Sequence, residues 1–183
     1  MKRLVVLILL AFAAACAGPP SQSAVEPPVV RPPAARAVPV QVPQVADYLL
    51  VDKSERLLVA YRSGQPIRVY RGIQFGDAPM GHKRFEGDER TPEGLYTIDT
   101  RNSRSSYHLS LRISYPNRAD RAFAAQYGRS PGGQIFIHGQ PNGLPWDRRM
   151  RGDWTDGCIA LTNAEIEELW QIVPDGTPIE IRQ

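Results

Sequence analysis

Asp153-Trp154-Thr155-Asp156-Gly157-Cys158-Ile159-Ala160-Leu161-Thr162-Asn163 is the stretch from which the rest of this 183-residue chain can be read. Cys158–Leu161 is a short apolar run that suits a buried strand. Thr162 with Glu165 three residues later forms a capping box, and Ile166, Leu169, Trp170 and Val173 then repeat on one face. This predicts a helix over Ala164–Val173, ended by Pro174. Gly157-Cys158 therefore stands where a turn enters a strand that feeds a helix. Upstream, the run Gln134–Ile137 ends on His138 and Gly139, with the His twenty residues ahead of the Cys. One Cys in the folded part of the chain together with a His is the minimal set for a thiol nucleophile and its base. Gly139 and Gly157 leave room for a substrate carbonyl to approach the backbone.

Moving outward, Tyr48–Asp52, Leu57–Tyr61 and Ile67–Arg71 read as strands separated by the hairpin signals Lys53-Ser54-Glu55 and Ser63-Gly64. Leu95–Asp99, Leu109–Ile113 and Pro178–Ile181 read as further strands. Many short strands with one clear helix predict a mainly β domain over 47–183, a β-sandwich or barrel-like fold with a short C-terminal helix. Its length suits a single core, and no repeat is visible.

Residues 18–46 differ in composition. They hold eight of the chain's seventeen prolines and no aromatic residue. Such a stretch cannot bury a core and prefers extended conformers, a tether of about 3 Å per residue. Ahead of it, Lys2 and Arg3 precede an apolar run from Leu4 to Ala15, too short to span a bilayer. Residues 1–17 are thus expected to be an export signal. Ala13-Ala14-Ala15-Cys16 resembles a lipobox, in which Cys16 would be lipidated. Cleavage after Ala15-Cys16-Ala17, giving simple secretion, is the competing expectation. The expected location is the periplasm, with a lipid anchor to the outer membrane on the first reading. Either way Cys158 loses its one possible disulfide partner, which favours a working thiol. Residues 47–183 carry 18 basic and 18 acidic side chains, so nothing points to nucleic acid.

With these residues in hand, the chain resembles the L,D-transpeptidase catalytic domain, the YkuD-like group. The resemblance runs from Leu50-Val51-Asp52-Lys53-Ser54 through Gly81-His82-Lys83-Arg84-Phe85-Glu86-Gly87-Asp88 and Arg90-Thr91-Pro92-Glu93-Gly94-Leu95-Tyr96. It ends on Ile137-His138-Gly139 and Gly157-Cys158-Ile159. It implies a mostly β enzyme that cuts and rejoins the L,D amide bond of peptidoglycan stem peptides, with no cofactor and no metal. It implies Cys158 as nucleophile, His138 as base and then acid, and the Gly139 carbonyl orienting the imidazole. Backbone N–H groups of Gly157 and Cys158 would hold the oxyanion. Carbapenems would acylate Cys158. The acyl acceptor would be a second stem peptide or an outer-membrane protein. Water in its place would make the enzyme an L,D-carboxypeptidase or amidase.

Two positions depart from the group's pattern: Thr155-Asp156 stands where Ser-His is common, and Ala160 where an Arg is common. Arg151, with Arg148 or Arg149, is the candidate replacement for that Arg, and Thr155, Asp156 and Trp154 are candidate substrate contacts. An imidazole beside Cys158 is expected to draw off its proton and make the thiolate abundant. His82 and His108 read as loop and strand-edge residues, Trp146 as loop packing. A zinc site from His82, His108, His138 and Cys158 lacks metal-ligand spacing. A wall-binding protein without activity would not need His138 and Cys158 together.

Overall fold

The computed structural model describes residues 44–183. The expected leader, Cys16 and the tether up to residue 43 lie outside the described residues. Ala46 is buried, and its N–H donates to the Ile172 carbonyl at 2.7 Å.

The chain runs β1 (Tyr48–Asp52), β2 (Leu57–Arg62), β3 (Gln65–Arg71), β4 (Gly94–Ser105), β5 (His108–Ile113), α1 (Arg118–Gln126), β6 (Phe136–His138), β7 (Ile159–Ala160), α2 (Asn163–Ile172) and β8 (Pro178–Arg182). The strands form one eight-stranded order, β3-β2-β1-β8-β4-β5-β6-β7. Alternating burial makes the core: Leu49 and Val51 of β1, Leu58 and Ala60 of β2, and Ile179 and Ile181 of β8 are buried between neighbours that are partly or fully exposed. The Ser63-Gly64 turn has φ of 50° and 75°, the positive pair that a two-residue hairpin needs. β4 is long enough to serve two neighbours. Its start, Gly94–Thr97, pairs with β8, and from Ile98 onward it pairs with β5, with register shifts that bend it from one half of the sheet to the other.

The order is open at β3 and β7, but two single bridges nearly close it. Gln74 pairs with Ala160, and Gly76 with Thr155. The segment leaving β3 thus docks on the strand that carries the cysteine. This partial closure gives the expected sandwich or barrel-like character.

Helix α2 forms as expected, with Thr162 and Glu165 exchanging both capping-box bonds. Ile166, Leu169 and Ile172 face the core. Arg101 reaches its C-terminal end, donating to the carbonyls of Trp170 and Val173. It is not the final element: the chain returns from it as β8, parallel to β1 in the middle of the sheet. A second helix, α1, was not expected. It has its own capping box, Asn117 with Asp120, but buries only Asp120 and Ala124. Propensity and capping form it, and no apolar stripe advertises it.

Candidate active site

Cys158 sits at the seam where the sheet closes. Thr155 ties the turn before it: its hydroxyl donates to the Cys158 carbonyl at 2.8 Å and accepts the Gly157 N–H at 3.2 Å. The Thr155 N–H in turn donates to the Phe75 carbonyl. Two glycines permit the close approach. A Cβ at Gly76 would lie 2.1 Å from the Glu89 carbonyl oxygen and 2.8 Å from the Gly157 nitrogen. A Cβ at Gly157, whose φ is +116°, would lie 2.4 Å from the Arg90 carbonyl oxygen. Arg90-Thr91-Pro92-Glu93-Gly94 is therefore more than a turn. Its backbone is the wall against which the cysteine's turn is pressed. Lys53 holds that segment through Glu93 at 2.7 Å and the Gly81 carbonyl at 2.7 Å.

His138 ends β6, alongside β7 in parallel register. Its Nδ1 lies 2.7 Å from the Gly139 carbonyl oxygen. A carbonyl only accepts, so Nδ1 carries the proton and Nε2 keeps a lone pair. The Tyr107 ring stacks on the imidazole at 4.6 Å between centroids, and Trp154 meets it edge-on at 5.6 Å. The ring is buried, 3% exposed, and burial pushes its pKa down to about 4.

Cys158 is half-buried. Its Sγ accepts from the Phe136 N–H at 3.4 Å and faces the Gln134 carbonyl at 3.5 Å. Burial pushes the thiol up to about 11, and the nearby Asp156 charge adds to the rise. Burial penalises the charged form of both partners, which favours thiol and neutral imidazole over the expected thiolate–imidazolium pair.

Both side chains open onto one cleft of about 940 Å³. Its walls also include Lys83, Glu86, Glu89, Asp156 and, from the β4–β5 hairpin, Ser105, Ser106 and Tyr107. Trp154 and Thr155 line it; Asp156 is exposed at its rim, and Glu89, raised mainly by burial, lies next to Asp156. Lys83 is buried and bound to Asp88 at 2.9 Å. The arginines expected to replace the one missing at Ala160 do not reach the cleft. Arg148 and Arg151 are exposed, and Arg149 is taken up by Glu165 and the carbonyls of Arg71 and Gly72, because α2's first turn and the end of β3 need a cation there.

The other histidines are dispersed. His82 Nδ1 accepts the Glu93 N–H at 2.7 Å, and its Nε2 faces Asp120 at 3.1 Å, so it is a neutral strut between the 90–94 wall and α1. His108 pairs with Glu167 at 3.0 Å and packs on Trp146, away from the cleft. Sequence reading missed Tyr107, which lies in the turn at the tip of the β4–β5 hairpin, and Gln74 and Gln140, whose amides look like any polar residue. The alternation Gln74-Phe75-Gly76 after β3 was the one available signal.

The family model described as YkuD, the L,D-transpeptidase catalytic domain, matches residues 46–181. A candidate L,D-transpeptidase of Escherichia coli K12, YafK, is 28% identical over 132 residues, which is 69% of this chain and 46% of that protein. The crystal structure of the helical cell shape determining protein Pgp2 from Campylobacter jejuni is 28% identical with a TM-score of 0.61, covering 76% of this chain and 48% of that one. Bd1075 of Bdellovibrio bacteriovorus is 26% identical with a TM-score of 0.50, covering 77% and 51%. The chain spans about half the length of these relatives.

Proposed function

The chain belongs to the L,D-transpeptidase catalytic-domain family, and from that premise we propose that it is a cysteine L,D-transpeptidase acting on peptidoglycan stem peptides. The observation that carries this reading is the meeting of Cys158 and a tautomer-fixed His138 on one cleft wide enough for a peptide. Cys158 Sγ attacks the carbonyl of the diamino acid at stem position 3. His138 Nε2 takes the thiol proton as the C–S bond forms and gives it to the leaving D-Ala amine, whose C–N bond breaks. The Cys158 N–H supports the oxyanion, since the Gly157 N–H is already engaged with Thr155. An acceptor amine then attacks the thioester carbonyl, the C–S bond breaks, and the amine's proton passes through His138 Nε2 to the departing thiolate. The leader residues support an exported protein with Cys16 as the lipidation site, which would place an outer-membrane protein within reach as acyl acceptor. The likeness to a helical cell shape determining protein supports a role in shaping the wall.

The hydrophilic lining of the cleft favours a second reading. Serines, glycines and carboxylates around the thiol would accept water, the nucleophile that would make this enzyme an L,D-carboxypeptidase or amidase. Incubation of the purified protein with disaccharide-tetrapeptide and mass analysis of products separates the two. A cross-linked dimer with D-Ala release is the expected result. Tripeptide alone selects the hydrolase, and an unchanged substrate sinks both.

A neutral resting pair has a distinct pH signature. Only the unprotonated imidazole takes the thiol proton, and lowering pH removes it below about 4 rather than near the ordinary value of about 6.5. The thiol keeps its proton up to about 11. The ratio kcat/KM should therefore stay within about twofold between pH 5.5 and 8.5. A bell centred in that window would mean that the ion pair predominates instead.

A further inference from the structure

Behind the imidazole lie two buried amides, Gln74 and Gln140, 6% and 0% exposed. Gln74 Oε1 accepts from Trp154 Nε1–H at 3.2 Å and from Gln140 Nε2–H at 3.2 Å. Gln74 Nε2 donates to the carbonyls of Met150 at 2.7 Å and Gly152 at 2.5 Å. Gln140 Nε2 also donates to the Leu161 carbonyl at 2.7 Å, and its Oε1 accepts the Met150 N–H at 2.9 Å. Every side-chain donor and acceptor of the two amides is engaged, so neither can flip without setting N–H against N–H.

The pair has an address as well as a full set of bonds. The Gln74 backbone exchanges both bonds with Ala160, two residues beyond the cysteine, at 3.0 and 2.8 Å. Its side chain grips the indole that meets His138 edge-on. One residue therefore links the strand leaving the thiol to the ring that packs on the base. The Gln140 backbone N–H donates to Asn163 Oδ1 at 2.8 Å, fixing the network to the start of α2.

Resting on the reading of His138 as the catalytic base, we propose that Gln74, braced by Gln140, is a positioning residue. It holds the Trp154 indole against the imidazole and keeps the base in one orientation and shielded from water. Gln74 does not line the cleft, so it acts only through Trp154. The titratable side chains beside the ring are Tyr107, stacked on it, and Cys158, on the same cleft. Among the described residues no ion pair involves His138. Its depressed pKa comes from burial, which the indole helps to provide.

The test uses Gln74→Met, which keeps length and loses the amide, and Trp154→Phe, which keeps a ring and loses the N–H. Three quantities are read: kcat and KM on tetrapeptide, the His138 pKa from an NMR titration of its Cε1–H, and thermal stability. The expected result for each variant is kcat lower by about tenfold, KM within about twofold, and a His138 pKa raised by about one unit as water reaches the ring. The double variant should be no worse than the poorer single, because both changes cut one path. Unchanged kcat and unchanged His138 pKa with only a lower melting temperature would overturn the proposal, as would effects that simply add. If Gln74→Met does not fold, Trp154→Phe decides alone by the same readouts. The NMR titration needs no substrate. Failure here is thus distinct from failure of the catalytic reading, which would appear as a wild type without turnover.

Discussion

Cys158→Ala is expected to abolish turnover, lowering kcat by at least about a thousandfold, while the protein keeps its fold. Nothing else on the cleft replaces the lost atom. Ser105, Ser106 and Ser110 lie on the opposite hairpin rather than on the turn that Thr155 and Gly157 present. The structural loss is small because Sγ makes only two weak contacts, with the Phe136 N–H and the Gln134 carbonyl. A change within about 1 kcal/mol, or about 2–5 °C in melting temperature, is expected. Product analysis beside a thermal melt checks both halves. An intact-mass measurement after incubation with substrate should show an acyl adduct on the wild type and none on the variant. Appreciable turnover by the variant would remove Cys158 from the mechanism.

Gly157→Ala is expected to be severely damaging for a change of one methyl group. The added carbon would sit 2.4 Å from the Arg90 carbonyl oxygen, a contact with backbone that no side-chain rotation relieves. The φ of +116° adds a conformational penalty for any L side chain. Together these should cost about 3 kcal/mol, read as a fall in melting temperature of roughly 10 °C. Activity should fall by more than about a hundredfold, since the displaced turn carries Cys158 with it. Gly143→Ala is the control: it meets nothing within 4 Å and should leave both measurements in place. Equal behaviour of the two variants would mean that the 90–94 wall does not press on the turn.

The elements most legible in the sequence were those whose local signals agree with their tertiary role. β1, β2 and β8 alternate because one face is buried and the other wet. α2 declared itself twice, through Thr162 with Glu165 and through its apolar stripe. α1 stayed hidden because its packing runs through a carboxylate: Asp120 bonds to His82, Tyr96 and the Asn117 N–H instead of burying an apolar face. The proposed roles of Cys158 and His138 drew on residue type and order, which a sequence displays directly. Side-chain direction is different. Arg149 and Arg151 are adjacent in chemistry and nearly so in sequence, yet one is consumed by Glu165 and neither lines the cleft. The electrostatic balance was equally illegible. Nothing in Ile137-His138-Gly139 says how deeply the ring is buried, and that depth penalises the charged imidazole.

The placement of β8 also shapes how the molecule comes into being. Leu49 and Val51 pair with Ile179 and Ile181, joining the start of the domain to a strand made some 130 residues later by the ribosome. Until that strand emerges, β1 has a bare edge and β4 lacks the neighbour of its first half. The hairpins can form early, but the sheet has a gap at its centre, and the seam that holds Cys158 has no completed scaffold to close against. A nascent or truncated chain lacking Pro178–Arg182 would leave two strand edges unpaired and the seam around Cys158 without its scaffold.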